Sequence, residues 1–322
     1  MTAVRRGGRR LMVFAVWVVL TAALIGVART LPWKDALHQM THARAPWLLA
    51  AVTVNVGIIV LWAAEWRLLA PRAAAVSYGR MFECVAAMAA VLNSVPFFAG
   101  EATGVAWLIT RLGLTRGAAL SVLALDQLMS GVGKLAVLAA TALVVPLPVW
   151  LRGGILGLTL GVALLLAVLV SLAHRWERMR NSLSQDRLWA QLLARGVSIG
   201  RHLDALRESG RVTRVSAIAV AKKTVELTAI MCVQMAFGMD PTIGASLIVL
   251  ACISIANIAP ISPANVGVYE AAAFAGYRYA GVSADMALGL ALVQHLCFLV
   301  PMLTTGYALL TLRQLPRARV MP

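Results

Sequence analysis

The chain has 322 residues, of which 61% are hydrophobic and 13% charged, at a mean hydropathy of +0.82. Soluble domains are roughly half apolar and a quarter charged, so this composition excludes one, and the longest clearly polar stretch, 174–214, is too short to fold alone as a catalytic domain. A net charge of +16 would suggest nucleic acid in a soluble protein, but here the basic residues cluster between apolar segments, as topology-setting charges do, so no nucleic-acid partner is expected.

The first apolar run, LMVFAVWVVLTAALIGVA, is longer than a signal-peptide core and reads as an uncleaved span over about 11–30. Further full spans are expected at 46–69, 118–145, 150–173, 215–238 and 283–312, making six. Two more apolar segments, 81–112 and 243–280, are interrupted. The first breaks at Asn93-Ser-Val-Pro96 and Gly100-Glu101, the second at Asn257-Ile-Ala-Pro260, Pro263 and Gly267. Proline removes a backbone donor and glycine favours irregular backbone. Lipid cannot satisfy the freed groups, so such breaks belong where protein or a water-filled cavity can. Each interrupted segment is expected to be a re-entrant hairpin or a pair of short tilted spans.

Between 174 and 214, arginines interleave with Leu188, Trp189, Leu192 and Leu193, the pattern of a basic amphipathic connector lying on anionic lipid. Trp33, Trp47, Trp66 and Trp150 fall near span ends, where interfacial anchors sit. The four cysteines lie in apolar stretches without CxxC spacing, which argues against disulfides and zinc. With the N-terminus in the cytoplasm and each interrupted segment returning to its own side, most of the basic residues fall inside, including nine arginines from Arg175 to Arg214. Only Arg29, Lys34, Arg44 and Arg152 fall outside, so both termini are expected to be cytoplasmic.

The two interrupted segments resemble each other. Asn93-x-x-Pro96, Glu101, and a Gly113-Leu-Thr turn lead into one span. Asn257-x-x-Pro260, Glu270, and a Gly281-Val-Ser turn lead into another. The expected topology enters them from opposite sides, so stretches 46–145 and 215–312 read as inverted repeats within a single transmembrane domain of residues 1–322.

Ionisable groups at membrane depth are costly and mark function by default. Glu101 and Glu270 each follow a break, where they can take up a proton, bind a head group, or pair within the hairpin with Arg111 or Arg278. Asp126 and Lys134 share one span but point too far apart to meet, so each needs a partner on another element. Lys222 and Glu226 have the i,i+4 spacing of an intrahelical ion pair, with Lys223 turned elsewhere to snorkel to the surface. His295 reads as a packing residue, and Gly131-Val-Gly133 as a close helix contact. No nucleotide loop, zinc-protease motif or nucleophile elbow occurs in a usable context, so neither enzymatic activity nor a cofactor is expected.

The run Pro260-Ile-Ser-Pro263-Ala-Asn265-Val-Gly267-Val-Tyr-Glu270, together with Asn93-x-x-Pro96 and Gly100-Glu101, resembles the membrane domain of lysylphosphatidylglycerol synthases, across about residues 10–312. The resemblance implies a flippase-like fold that moves lipid between leaflets, with both motif regions at the central cavity. Two departures bear on this. Members often carry an arginine where this chain has Phe97-Phe98-Ala99, and a Gly-Gly pair where it has Ala264-Asn265. The soluble aminoacyl-transfer domain of the full synthases is absent, so lysine transfer is not expected.

The sequence therefore implies an all-α polytopic membrane protein of the bacterial inner membrane, with about six full spans framing two hairpins related as an inverted repeat. The expected function is translocation of a lipid or lipid-linked head group, with an anionic phospholipid or polyprenyl lipid as substrate. Asn93, Pro96, Gly100, Glu101, Arg111, Asp126, Lys134, Asn257, Pro260, Pro263, Asn265, Gly267, Glu270 and Arg278 are the expected cavity residues. The alternative is a non-transporting scaffold for a lipid- or glycan-modifying enzyme. A second copy of the chain or a lipid-synthesis enzyme would be its protein partner.

Overall fold

The computed structural model describes residues 32–95, 99–180, 209–258 and 262–314, and these form helices joined by turns and short connections, with no strand. In chain order the helices are α1 (Trp33–Thr41), α2 (Ala45–Leu69), α3 (Tyr78–Leu92), α4 (Ala99–Thr110), α5 (Arg116–Val144), α6 (Val149–Arg180), α7 (Ser209–Ala236), α8 (Ile243–Ala256), α9 (Val268–Tyr279) and α10 (Ala284–Gln314). Short 3-10 turns lie at Arg72–Ala74 and Pro263–Asn265. Four of the helices, α2, α5, α6 and α10, are long and apolar enough to cross a membrane. With no strand to close into a barrel among the described residues, this is the architecture of a polytopic helical membrane protein.

Local sequence explains where the helices stop and start. Both interrupted segments split where the asparagines predicted: α3 ends on Asn93 and α8 on Asn257. The turns into α5 and α10 pass through Gly113 at φ 71° and Gly281 at φ 86°, a left-handed conformation open to glycine without a Cβ penalty. Thr115 then caps α5 by accepting from the Ala118 N–H at 3.3 Å, and Thr242 caps α8 by accepting from the Ala245 N–H at 3.2 Å.

Close approach of the segments depends on small residues. A Cβ on Gly100 would collide with Leu92, folding α4 directly onto α3, and one on Gly276 would come within 2.8 Å of the Val249 backbone, seating α9 on α8. Gly131 meets Val162 of α6, and Gly133 the Ala219 carbonyl of α7, so this pair is the helix contact its sequence implied. Outward, α6 exposes Leu156, Leu160 and Leu164 one turn apart, a stripe suited to acyl chains.

The long helices pack in an exchanged pattern. α2 lies along α7; α3 packs against α10, and α8 against α5; α5 contacts α7 as α10 contacts α2. One buried apolar cluster draws mainly on α2, α3 and α5, and the other mainly on α8, α9 and α10.

Several expectations need adjusting. The connector stretch 174–214 is entered from both sides by helix, α6 running to Arg180 and α7 starting at Ser209, while 181–208 lies outside the described residues, as does the span expected at 11–30. The short helix α1, packed on α10, gave no apolar signal of its own. Trp66 is not an interfacial anchor: it is fully buried, with its ring over Gly104 of α4, because that glycine leaves room for an indole.

Candidate functional site

A cavity of about 250 Å³ opens between the two breaks and the long helices. α2 supplies Trp62, α3 Asn93, α4 Glu101, α5 Asp126 and Lys134, α7 Lys222, Lys223 and Glu226, and the second break Asn257 and Asn265. Tyr269 and Phe298 add aromatic wall. A smaller cavity of about 50 Å³ shares Lys134, Lys223, Glu226 and Asn257, and reaches toward Asn55, Ser254 and Gln294.

Much of the charge in the cavity is paired, both between helices and within one. Lys222 forms an ion pair with Glu65 of α2, which is completely buried, and sits 4.0 Å from Asp126. Asp126 also accepts from the Trp62 indole N–H at 2.8 Å, and the Lys222 ammonium lies 5.7 Å from the centre of that indole. Lys223 donates to both carboxylate oxygens of Glu226, at 2.7 and 2.9 Å. Lys134 donates to the main-chain carbonyl of Asn257 at 2.9 Å. Charges buried this way cost several kcal/mol each unless paired, and pairing is what makes their presence tolerable.

Not every group is satisfied. Glu101 Oε2, Asn257 Oδ1 and Asn265 Oδ1 are buried acceptors without a hydrogen-bond donor, and all three residues line the cavity. Orphaned acceptors at a polar cavity call for donors from water or from a ligand.

Of the expected site residues, the structure brings Asn93, Glu101, Asp126, Lys134, Asn257 and Asn265 to this cavity. Pro96 and Pro260 lie outside the described residues. Gly100 sits in the first turn of α4, Pro263 in the 3-10 turn of the second break, and Gly267 starts α9 at φ 86°. Arg111 is exposed, its guanidinium 5.2 Å from the centre of the Trp107 ring. Arg278 is exposed as well and donates to the Val282 carbonyl at 2.6 Å, so neither arginine partners a hairpin glutamate.

Glu270 stands beside the cavity in a network of its own. One oxygen accepts from the Gly267 N–H at 2.7 Å and the other meets His295 Nδ1 at 2.8 Å. The His295 ring stacks on Tyr269 at 4.2 Å, and Gln294 bridges Tyr269 and Tyr277 through bonds of 3.0 and 2.6 Å. His295 is thus the partner of Glu270, which a lone apolar-span histidine did not suggest.

The lysines also need correction. Lys222 pairs across to α2 rather than with Glu226, because α7 lies along α2 and turns that face toward Glu65. Lys223 points inward and takes Glu226 at i,i+3, where a route to the surface was expected. Glu65 is a further buried charge that the motifs do not point to, and an acid inside a span is the sequence signal for it.

Fold and cavity together define a polytopic helical membrane protein with a charged, internally neutralised interior. The chain belongs to the lysylphosphatidylglycerol synthase TM region family, whose model matches residues 12–306. No curated protein sequence is significantly similar to it.

Proposed function

We propose that the protein translocates a lipid or lipid-linked head group between leaflets of the bacterial inner membrane. The observation that carries this reading is the cavity itself, in which three lysines and three carboxylates, Glu101, Asp126 and Glu226, face one polar space among apolar helices. A phosphate is matched by lysines such as Lys134, and hydroxyl or ammonium donors by the open acceptors of Glu101, Asn257 and Asn265. The apolar walls of Met88, Leu92 and Phe298 suit the chains that follow a head group.

The exchanged packing supports an inverted repeat of α2–α5 with α7–α10. Under that relation α3 on α10 corresponds to α8 on α5, and the glycine turns at Gly113 and Gly281 correspond as well. Two such halves would let one site open to either leaflet in turn. The family membership is consistent with this reading.

Purified protein reconstituted into liposomes with fluorescent phospholipids tests it. Dithionite should quench inner-leaflet label faster than in protein-free vesicles. Background rates for anionic phospholipid, zwitterionic phospholipid and polyprenyl phosphate alike would overturn it.

A further inference from the structure

A second concavity is larger than the central cavity. A groove of about 980 Å³ lies where the end of α2, the Arg72–Ala74 turn, the start of α3 and the start of α7 meet. Four arginines line it, Arg67, Arg72, Arg211 and Arg214, and no aspartate or glutamate is among its described lining residues. Its volume falls in the range of about 300–1,000 Å³ usual for small-molecule sites.

Arginines at span ends ordinarily set topology, and for that they need only reach water. Arg211 does not fit that role. Its exposure is 8%, and it makes no hydrogen bond or ion pair with a described residue. A guanidinium so little exposed and unpartnered among the described residues keeps its donors for the groove, where an anion would complete them. Its neighbours are arranged for the same ligand. Arg67 is steadied by donating from Nε to the Val76 carbonyl at 3.2 Å. The N-cap Ser77 makes no side-chain capping bond, so the first N–H groups of the 15-residue helix α3 are free to join in.

We propose that this groove is a second binding site, separate from the central cavity, for a phosphate-bearing anion. The phosphate would sit between Arg211 and Arg214, with Arg67 and the start of α3 completing its shell. The source of the phosphate is either an anionic lipid head group or free phosphate. The site does not depend on the transport reading.

The test uses the full chain in nonionic detergent, with thermal unfolding followed against two probes, inorganic phosphate and short-chain phosphatidylglycerol. At least one probe should raise the midpoint in a saturable way. Arg211→Gln should weaken that probe's apparent affinity about tenfold or more, the scale of one charge-assisted contact. Arg214→Gln, an exposed position, carries the same expectation if the Arg211 variant does not fold. Arg152→Gln, exposed on α6, should leave affinity unchanged. A response to the lipid alone assigns a head group, and a response to both assigns the phosphate group itself. Equal affinities in the wild type and the Arg211 and Arg214 variants, or no response to either probe, would overturn the site, whatever the flipping assay shows.

Discussion

Lys134 of α5 donates a 2.9 Å hydrogen bond to the main-chain carbonyl of Asn257, the residue on which α8 ends. A helix that stops inside the protein leaves its last carbonyls without intrahelical donors, and these carry the negative end of the helix dipole. An ammonium from a neighbouring helix answers both needs. It also ties the second break to α5, which itself follows the first break.

Lys134→Met should therefore destabilise the fold by about 1–3 kcal/mol, the cost of leaving a buried acceptor unmet. Lys134→Arg should recover most of it, since it keeps both the charge and a donor. Thermal midpoints of the three proteins in one detergent check this. A methionine variant as stable as wild type would show that the bond contributes nothing.

The buried pair of Lys222 and Glu65 makes a second prediction. Removing the cation by Lys222→Met strands Glu65 and takes the ammonium away from Asp126, which keeps the Trp62 indole, and breaking a buried pair costs about 3–5 kcal/mol. Glu65→Leu combined with Lys222→Leu should cost less than its two single changes added together, by at least about 1 kcal/mol. A double-mutant cycle on unfolding free energy measures this directly. Strict additivity would mean the two side chains do not cooperate.

The contrast between these two contacts shows what could be read from sequence. Asn93 and Asn257 were legible as break points because proline and glycine act on the backbone locally, and each helix does end there. Four of the six expected spans, those of α2, α5, α6 and α10, were legible because lipid imposes their length. Ion-pair choice was not, because it depends on which helix faces which. The i,i+4 rule favours Lys222 with Glu226, but α7 lies along α2, so Lys222 is drawn to Glu65 and Lys223 takes Glu226 instead. For the same reason Glu270 meets His295 from α10 and not Arg278 from its own helix.

The second break also carries backbone strain that can be relieved. Ala264 and Asn265 sit at φ 54° and 55°, in the left-handed region, at the two positions where family members often carry Gly-Gly. Left-handed backbone costs an L-residue roughly 1–2 kcal/mol, partly offset by glycine's greater freedom when unfolded. Ala264→Gly should thus stabilise by about 0.5–1 kcal/mol. Gly267→Ala, at φ 86°, should destabilise by about 1–2 kcal/mol. Opposite signs in the two thermal shifts are the expected result, and equal signs would contradict the assignment.

Glu101 separates function from folding most cleanly. Its Oε2 is buried against the cavity with no donor, so the fold gains little from its charge. Glu101→Gln keeps the shape and should change stability by no more than about 0.5 kcal/mol. If the carboxylate meets the head group, the same change should slow lipid movement in liposomes about tenfold or more, the scale of one lost charge-assisted hydrogen bond. Asn93→Ala gives the opposite signature. It removes a side chain that donates to the Ala89 carbonyl at 2.8 Å at the end of α3, so it should lower stability. A Glu101→Gln protein that flips lipid at the wild-type rate would remove this residue from the translocation path.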